Sequence, residues 1–76
     1  MRLRDIREDK DLTQQQLATQ LHIRQNTYSQ YENGQRGLPM DMLVRLAELL
    51  ETSTDYILEL TDDPRPYPPS RRRKNP

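Results

Sequence analysis

An all-α fold is what this sequence of 76 residues predicts: five short helices in one compact domain over residues 1–60, then a disordered or extended tail over 61–76. Three observations carry that expectation. Apolar residues up to Leu60 recur at helical spacing, and no stretch alternates apolar and polar residues as a half-buried strand does. After Thr61, Pro64, Pro66, Pro68 and Pro69 fall within six residues, which forbids helix and favours polyproline-like or unfolded chain.

The first helix is expected from about Arg2 to Lys10, with Leu3 and Ile6 inward. Asp11 follows where a helix stop is needed, and Asp tolerates left-handed geometry better than most residues. The second helix opens with Thr13-Gln14-Gln15-Gln16, which fits a capping box: the Thr13 hydroxyl bonds the Gln16 amide and the Gln16 side chain reaches back. Leu17 and Leu21 then share a face, Ala18 allows close approach of a neighbour, and His22-Ile23 makes a short break. The third helix runs from about Gln25 to Asn33 and stops at Gly34. Its inner face is marked by Tyr28 and Tyr31. At 100° per residue, Gln25, Asn26, Ser29, Gln30 and Asn33 share the opposite arc. That arc is wholly polar yet uncharged, whereas solvated helix faces usually carry Glu and Lys. Pro39 suits the first position of a fourth helix, about Met40 to Glu51, whose core stripe is Met40, Leu43, Leu46, Ala47 and Leu50. Met42 and Leu49 widen the stripe toward a second surface. Ser53 can cap a short fifth helix with Tyr56, Ile57 and Leu60 as its apolar face, and Asp55 in its first turn suits the helix dipole.

Composition narrows the function. All the apolar residues except Tyr67 lie in residues 1–60, a thin core for which a buried substrate pocket is not expected. Cys, Phe and Trp are absent, and His22 is the sole histidine. Thiolate and multi-histidine metal sites are therefore excluded, and no nucleophile–base pair or phosphate-binding glycine loop is present. No catalytic residue, metal or cofactor is expected. No apolar run approaches a membrane span and the first residues lack a secretory h-region, so a cytoplasmic protein without membrane contact is expected. The net charge of zero hides an asymmetry: +1 over residues 1–36, −6 over 37–63 and +5 over 64–76. Binding to nucleic acid would then rest on a local surface rather than on overall charge.

The second and third helices, joined by a turn of about three residues, form a helix-turn-helix pattern. The run Leu12-Thr13-Gln14, Leu17-Ala18, Leu21, Thr27-Tyr28-Ser29, Tyr31-Glu32-Asn33-Gly34, Leu43, Leu46-Ala47, Ser53 and Asp55-Tyr56 closely resembles the Cro/repressor (Xre) helix-turn-helix family, over residues 3–60. The chain also resembles small stand-alone regulators of Gram-positive bacteria and their mobile elements. The resemblance implies a lambda-repressor-like five-helix domain that binds operator DNA as a two-fold dimer.

The chemistry of the polar arc agrees. A helix fits the major groove, and a side-chain amide both donates and accepts, so Asn and Gln can bond adenine N6 and N7 together. Gln25, Asn26 and Gln30 match family positions that commonly read base edges; the alternative is a merely solvated face. Gln14, at the N-terminus of the second helix, is placed for a phosphate. The family assigns its position to backbone contact, sometimes bracing the first glutamine of the recognition helix. Thr27, Ser29, Asn33, Gln35 and Arg36 are further candidate phosphate donors, each of which could equally be surface or cap.

Two residues depart from the family pattern. Arg24 stands where a small polar N-cap is usual, at a cost of about 1 kcal/mol. Either the fold absorbs that cost, or Arg24 faces a phosphate or guanine in the complex. His22 replaces the turn glycine, which places a Cβ at positive φ. The resemblance further implies a partly buried ion pair between Arg7 and Glu32. The function expected is a sequence-specific, double-stranded-DNA-binding transcriptional regulator, a repressor acting as a homodimer through Leu49, Leu58 and Leu60. The alternative is an antitoxin-type module that binds a protein through the acidic segment or the tail. Arg71-Arg72-Arg73-Lys74 would be either a solubilising end or an arm that touches phosphates.

Overall fold

Five helices follow one another in the computed structural model, which describes residues 1–68: α1 (Leu3–Asp9), α2 (Gln14–Leu21), α3 (Gln25–Asn33), α4 (Met40–Leu49) and α5 (Thr54–Ile57). No strand occurs among the described residues. Local signals set most of the helix boundaries. The capping box of α2 is formed as the sequence requires: Gln16 N donates to Thr13 Oγ1 at 3.0 Å and Thr13 N donates to Gln16 Oε1 at 2.8 Å. Ser53 Oγ accepts from Tyr56 N at 3.0 Å and opens α5. Pro39 stands one position earlier than expected, as the N-cap of α4, because its extended ψ of 150° places it outside the helix.

The helix ends share a device. Asp11, His22, Glu51 and Glu59 all have φ between 54° and 65°, and Gly34 has φ 74°. Each left-handed residue lets the amide that follows turn back to a helix carbonyl, as Leu12 N does to Arg7 O and Thr52 N to Ala47 O. Glu51 therefore ends α4 before the expected boundary. Four of these five positions carry a Cβ in a conformation that costs about 1–2 kcal/mol. Arg45 secures another end: its guanidinium donates to the free carbonyls of Leu21 at 3.3 Å and Gln20 at 3.2 Å, a cation on the negative pole of α2.

Leu3, Ile6, Leu17, Ala18, Leu21, Tyr28, Leu46, Ala47, Leu50 and Ile57 form the core, and Tyr31 is buried beside them. Leu12, Ile23, Leu38, Met42, Leu43 and Tyr56 pack around it. Two expected core residues fall outside. Met40 is 80% exposed, because it opens α4 ahead of any covering element, and Leu38 of the preceding loop packs on the core instead. Leu60 is 72% exposed, because α5 ends at Ile57 and the chain turns at Glu59 before Leu60 could join its face. Leu49 and Leu58 are exposed as well.

Residues 61–68 contain no helix, as Pro64, Pro66 and Pro68 demand, yet they run back along the helices. The Arg2 guanidinium stacks over the Tyr56 ring, 4.1 Å from its centroid, and donates to Thr61 O at 3.1 Å. Thr52 Oγ1 donates to Pro64 O and Tyr67 OH to Asp55 Oδ2, each at 2.7 Å. The basic cluster Arg71–Lys74 lies outside the described residues. Among the described residues no helix is long and apolar enough to cross a membrane.

Candidate nucleic-acid interface

The turn between α2 and α3 is built without glycine. His22 takes φ 60° and ψ 40°, its amide donates to Thr19 O at 3.1 Å, and Ile23 N donates to Ala18 O at 3.0 Å. Histidine is among the residues that tolerate this region. Ile23 packs on the core, and Arg24 then opens α3 with an extended ψ of 150° and no side-chain cap. The expected defect at this helix start is thus present.

Burial of Tyr28 and Tyr31 fixes the rotation of α3. Gln25, Asn26 and Asn33 are exposed on the other side, with Thr27, Ser29 and Gln30 half-buried along it. The side chains of Gln25, Asn26 and Gln30 bond to no described residue, so each amide keeps a donor and an acceptor for a partner. Arg24 and Arg36, just outside the two ends of α3, also have no partner among the described residues. The result is an uncharged, hydrogen-bonding strip with a cation at each end. At the far end, the amides of Gln35 and Arg36 both donate to Gln30 O, at 2.9 and 3.3 Å, so the loop leaves α3 by a defined turn through Gly34.

Beneath the strip lies an ionic cluster. Arg7 Nε donates to Glu32 Oε2 at 2.7 Å and Nη2 to Oε1 at 3.3 Å, while Nη1 donates to Leu12 O at 2.8 Å. The Glu32 side chain has no exposure, and that of Arg7 is 12% exposed. Gln14 Nε2 adds a bond to Glu32 Oε1 at 3.1 Å. Burial alone would raise the Glu32 carboxyl, but hydrogen bonds from Arg7 and Gln14, with the Tyr28 hydroxyl close by, outweigh it and hold the pKa below its ordinary value. The same carboxylate pushes the Arg7 guanidinium up. Burial, then the neighbouring carboxylate, raise the Tyr28 phenol. Its hydroxyl sits close enough to Glu32 to be felt, yet no partner meets hydrogen-bonding distance and angle.

The structure brings Arg7 and Glu32 together as a covered ion pair. Gln14 braces Glu32 at the last turn of α3, not the first glutamine of that helix. Asn33 and Ser29 bond each other at 3.4 Å. Two residues escaped sequence reasoning. Arg4 Nη2 donates to Asn33 Oδ1 at 2.9 Å, and Arg4 Nε lies 3.5 Å from Glu32 Oε1. The available signal was its spacing, three residues before Arg7 and therefore on the same face of α1. For Arg45, which caps the end of α2, the available signal was its place as the lone base within residues 37–63.

Known proteins resemble this chain in sequence. A helix-turn-helix family model matches residues 3–57. An uncharacterized HTH-type transcriptional regulator, YobD of Bacillus subtilis (strain 168), is 48% identical over 65 residues, which are 86% of this chain and 58% of that protein. The HTH-type transcriptional regulators ImmR and AnsR of the same organism are 39% and 37% identical over 57 residues, 75% of this chain and 45% and 49% of theirs. The chain spans about half the length of the curated relatives it matches. No solved structure gives a significant match. The matched family model and these identities, on a fold with α2, a three-residue turn and α3 in place, make the chain a member of the Cro/repressor (Xre) helix-turn-helix family.

Proposed function

We propose that the chain is a non-enzymatic, sequence-specific DNA-binding regulator of transcription, acting in the cytoplasm as a homodimeric repressor on a palindromic operator. The observation that carries this reading is the outer strip of α3, where Gln25, Asn26 and Gln30 present amides bonded to no described residue on a helix anchored from behind. Unpaired amides on a fixed helix suit adenine edges in the major groove. Arg24 suits a guanine edge or a phosphate beside the first turn of α3, and Arg36, with the half-buried Thr27 and Ser29 and the neighbouring Asn33 and Gln35, suits the phosphates on either side. Gln14 serves there through the free amides at the start of α2. Residues 1–60 are the DNA-binding domain in this reading, and 61–76 the proline-rich basic tail.

Exposed Leu49, Leu58 and Leu60 support the dimer, which would set the two α3 helices about 34 Å apart, one turn of B-DNA. Selection of bound duplexes from a random pool tests the reading: a palindrome with two half-sites is expected, and recovery of no preferred sequence overturns it. The same exposed leucines within a segment of net charge −6 favour a second reading, an antitoxin-type module that seats a basic protein partner. Specific duplexes retained at physiological salt by the purified chain separate the two.

A further inference from the structure

Arg4 is bonded in a way its own helix does not explain. Glu8 stands four residues on in α1, the position where a surface arginine ordinarily finds its carboxylate. Arg4 instead reaches across to α3, donating to Asn33 at 2.9 Å and approaching Glu32 at 3.5 Å. Glu32 is already matched by two bonds from Arg7 and one from Gln14, so one carboxylate serves two guanidinium groups. The surplus positive charge falls on Arg4, whose side chain is 55% exposed while that of Arg7 is almost covered. Arg4 Nη1 has no partner among the described residues. Asn33 in turn bonds Ser29, so Arg4 is pinned to the last turn of the outer strip of α3.

We propose that Arg4 is a further DNA-contacting residue, donating from its free Nη1 to a backbone phosphate beside the bases that α3 reads. The proposal rests on the reading that the α3 strip faces DNA. A guanidinium held by Asn33 and Glu32 presents its remaining N–H groups in a fixed direction, which is the chemistry that suits a phosphodiester oxygen. Such a contact adds affinity and salt dependence without base preference.

The test compares wild-type chain with Arg4→Gln, Arg4→Lys and Gln25→Ala, on a duplex selected from a random pool and on a shuffled duplex of equal length, across a salt series. Each phosphate contact adds about 0.9 to the slope of log affinity against log salt. Arg4→Gln is expected to lower the slope by about 0.9 per subunit, hence affinity about eightfold per subunit at 0.1 M salt, equally on both duplexes. Arg4→Lys restores the slope because it keeps the charge. The melting temperature should move by no more than about 4 °C, since Arg4 is a surface group. An unchanged slope for Arg4→Gln, while Gln25→Ala still weakens the selected duplex alone, overturns the proposal and leaves the DNA-binding reading intact. A loss confined to the selected duplex overturns it too, since Arg4 would then act by orienting α3. Failure of the wild type to prefer any duplex overturns the DNA-binding reading instead.

Discussion

The two ends of α3 are built oppositely. Its first residues follow an arginine that caps nothing, and Gln25 and Asn26 bond no described residue. Its last turn carries Tyr31 in the core, Glu32 in a covered ionic cluster, Asn33 tied to Arg4, and a left-handed glycine. A helix held from its C-terminal half keeps its axis while its N-terminal half stays unsatisfied. Rigidity and vacancy are thus separated within nine residues, so that hydrogen bonds to a partner need not compete with those that hold the fold.

The largest expected effect lies at the held end. Glu32→Ala leaves the Arg7 guanidinium nearly covered and unpaired, and thermal melts should show a loss of about 3–5 kcal/mol. Arg7→Met combined with Glu32→Leu should recover most of it, because an apolar pair leaves no buried charge. Stability should also depend on pH through this group. Its folded pKa lies below the unfolded value near 4.3, so its contribution is full above about pH 5 and is lost as pH falls through the folded value. Glu32→Gln should flatten that part of the pH profile.

Removing the free amides at the open end should leave the melts alone and move binding. Gln25→Ala or Asn26→Ala should weaken the best duplex by about 1–3 kcal/mol, relax preference at one or two base pairs per half-site and spare random DNA. Equal losses on both duplexes would remove these residues from base reading. Arg24→Ser supplies the missing cap and removes a cation from the helix start, so it should stabilise by about 1 kcal/mol in a melt. If its affinity falls at the same time, Arg24 serves DNA rather than the fold. A comparable effect on the fold is expected at Gly34→Ala. A Cβ there meets nothing within 4 Å, so the loss seen in a melt, about 1–2 kcal/mol, reflects backbone conformation alone.

Much of this contrast is legible in the sequence because it is local. Thr13 and Gln16, Ser53, Gly34 and the i, i+3 tyrosines each announce a cap, a stop or an inner face through near neighbours. Arg7 with Glu32 is legible through resemblance, since 25 residues separate the partners. Arg4 with Asn33 is not, because no local rule decides between Glu8 on its own helix and a residue 29 positions away. Met40 and Leu60 mislead for a related reason. Helical spacing states which residues share a face, but not whether another element covers its last position. The left-handed ends show the same limit, since Glu51 and Glu59 carry no mark that distinguishes them from helix interior.

Arg2 and Thr61 lie side by side, joined by a hydrogen bond of 3.1 Å, although nearly the whole domain separates them in sequence. The polypeptide path therefore closes almost into a loop. A domain whose two ends leave from one place can be spliced between residues of a host protein without prising that host apart. It can also be permuted: joining the ends near residues 2 and 61 and reopening the exposed turn at Gln35–Gly37 would reorder the helices while leaving α2 and α3 contiguous. For a module that occupies only about half of its relatives, such portability means that what is attached at this corner can change without disturbing the surface at α3.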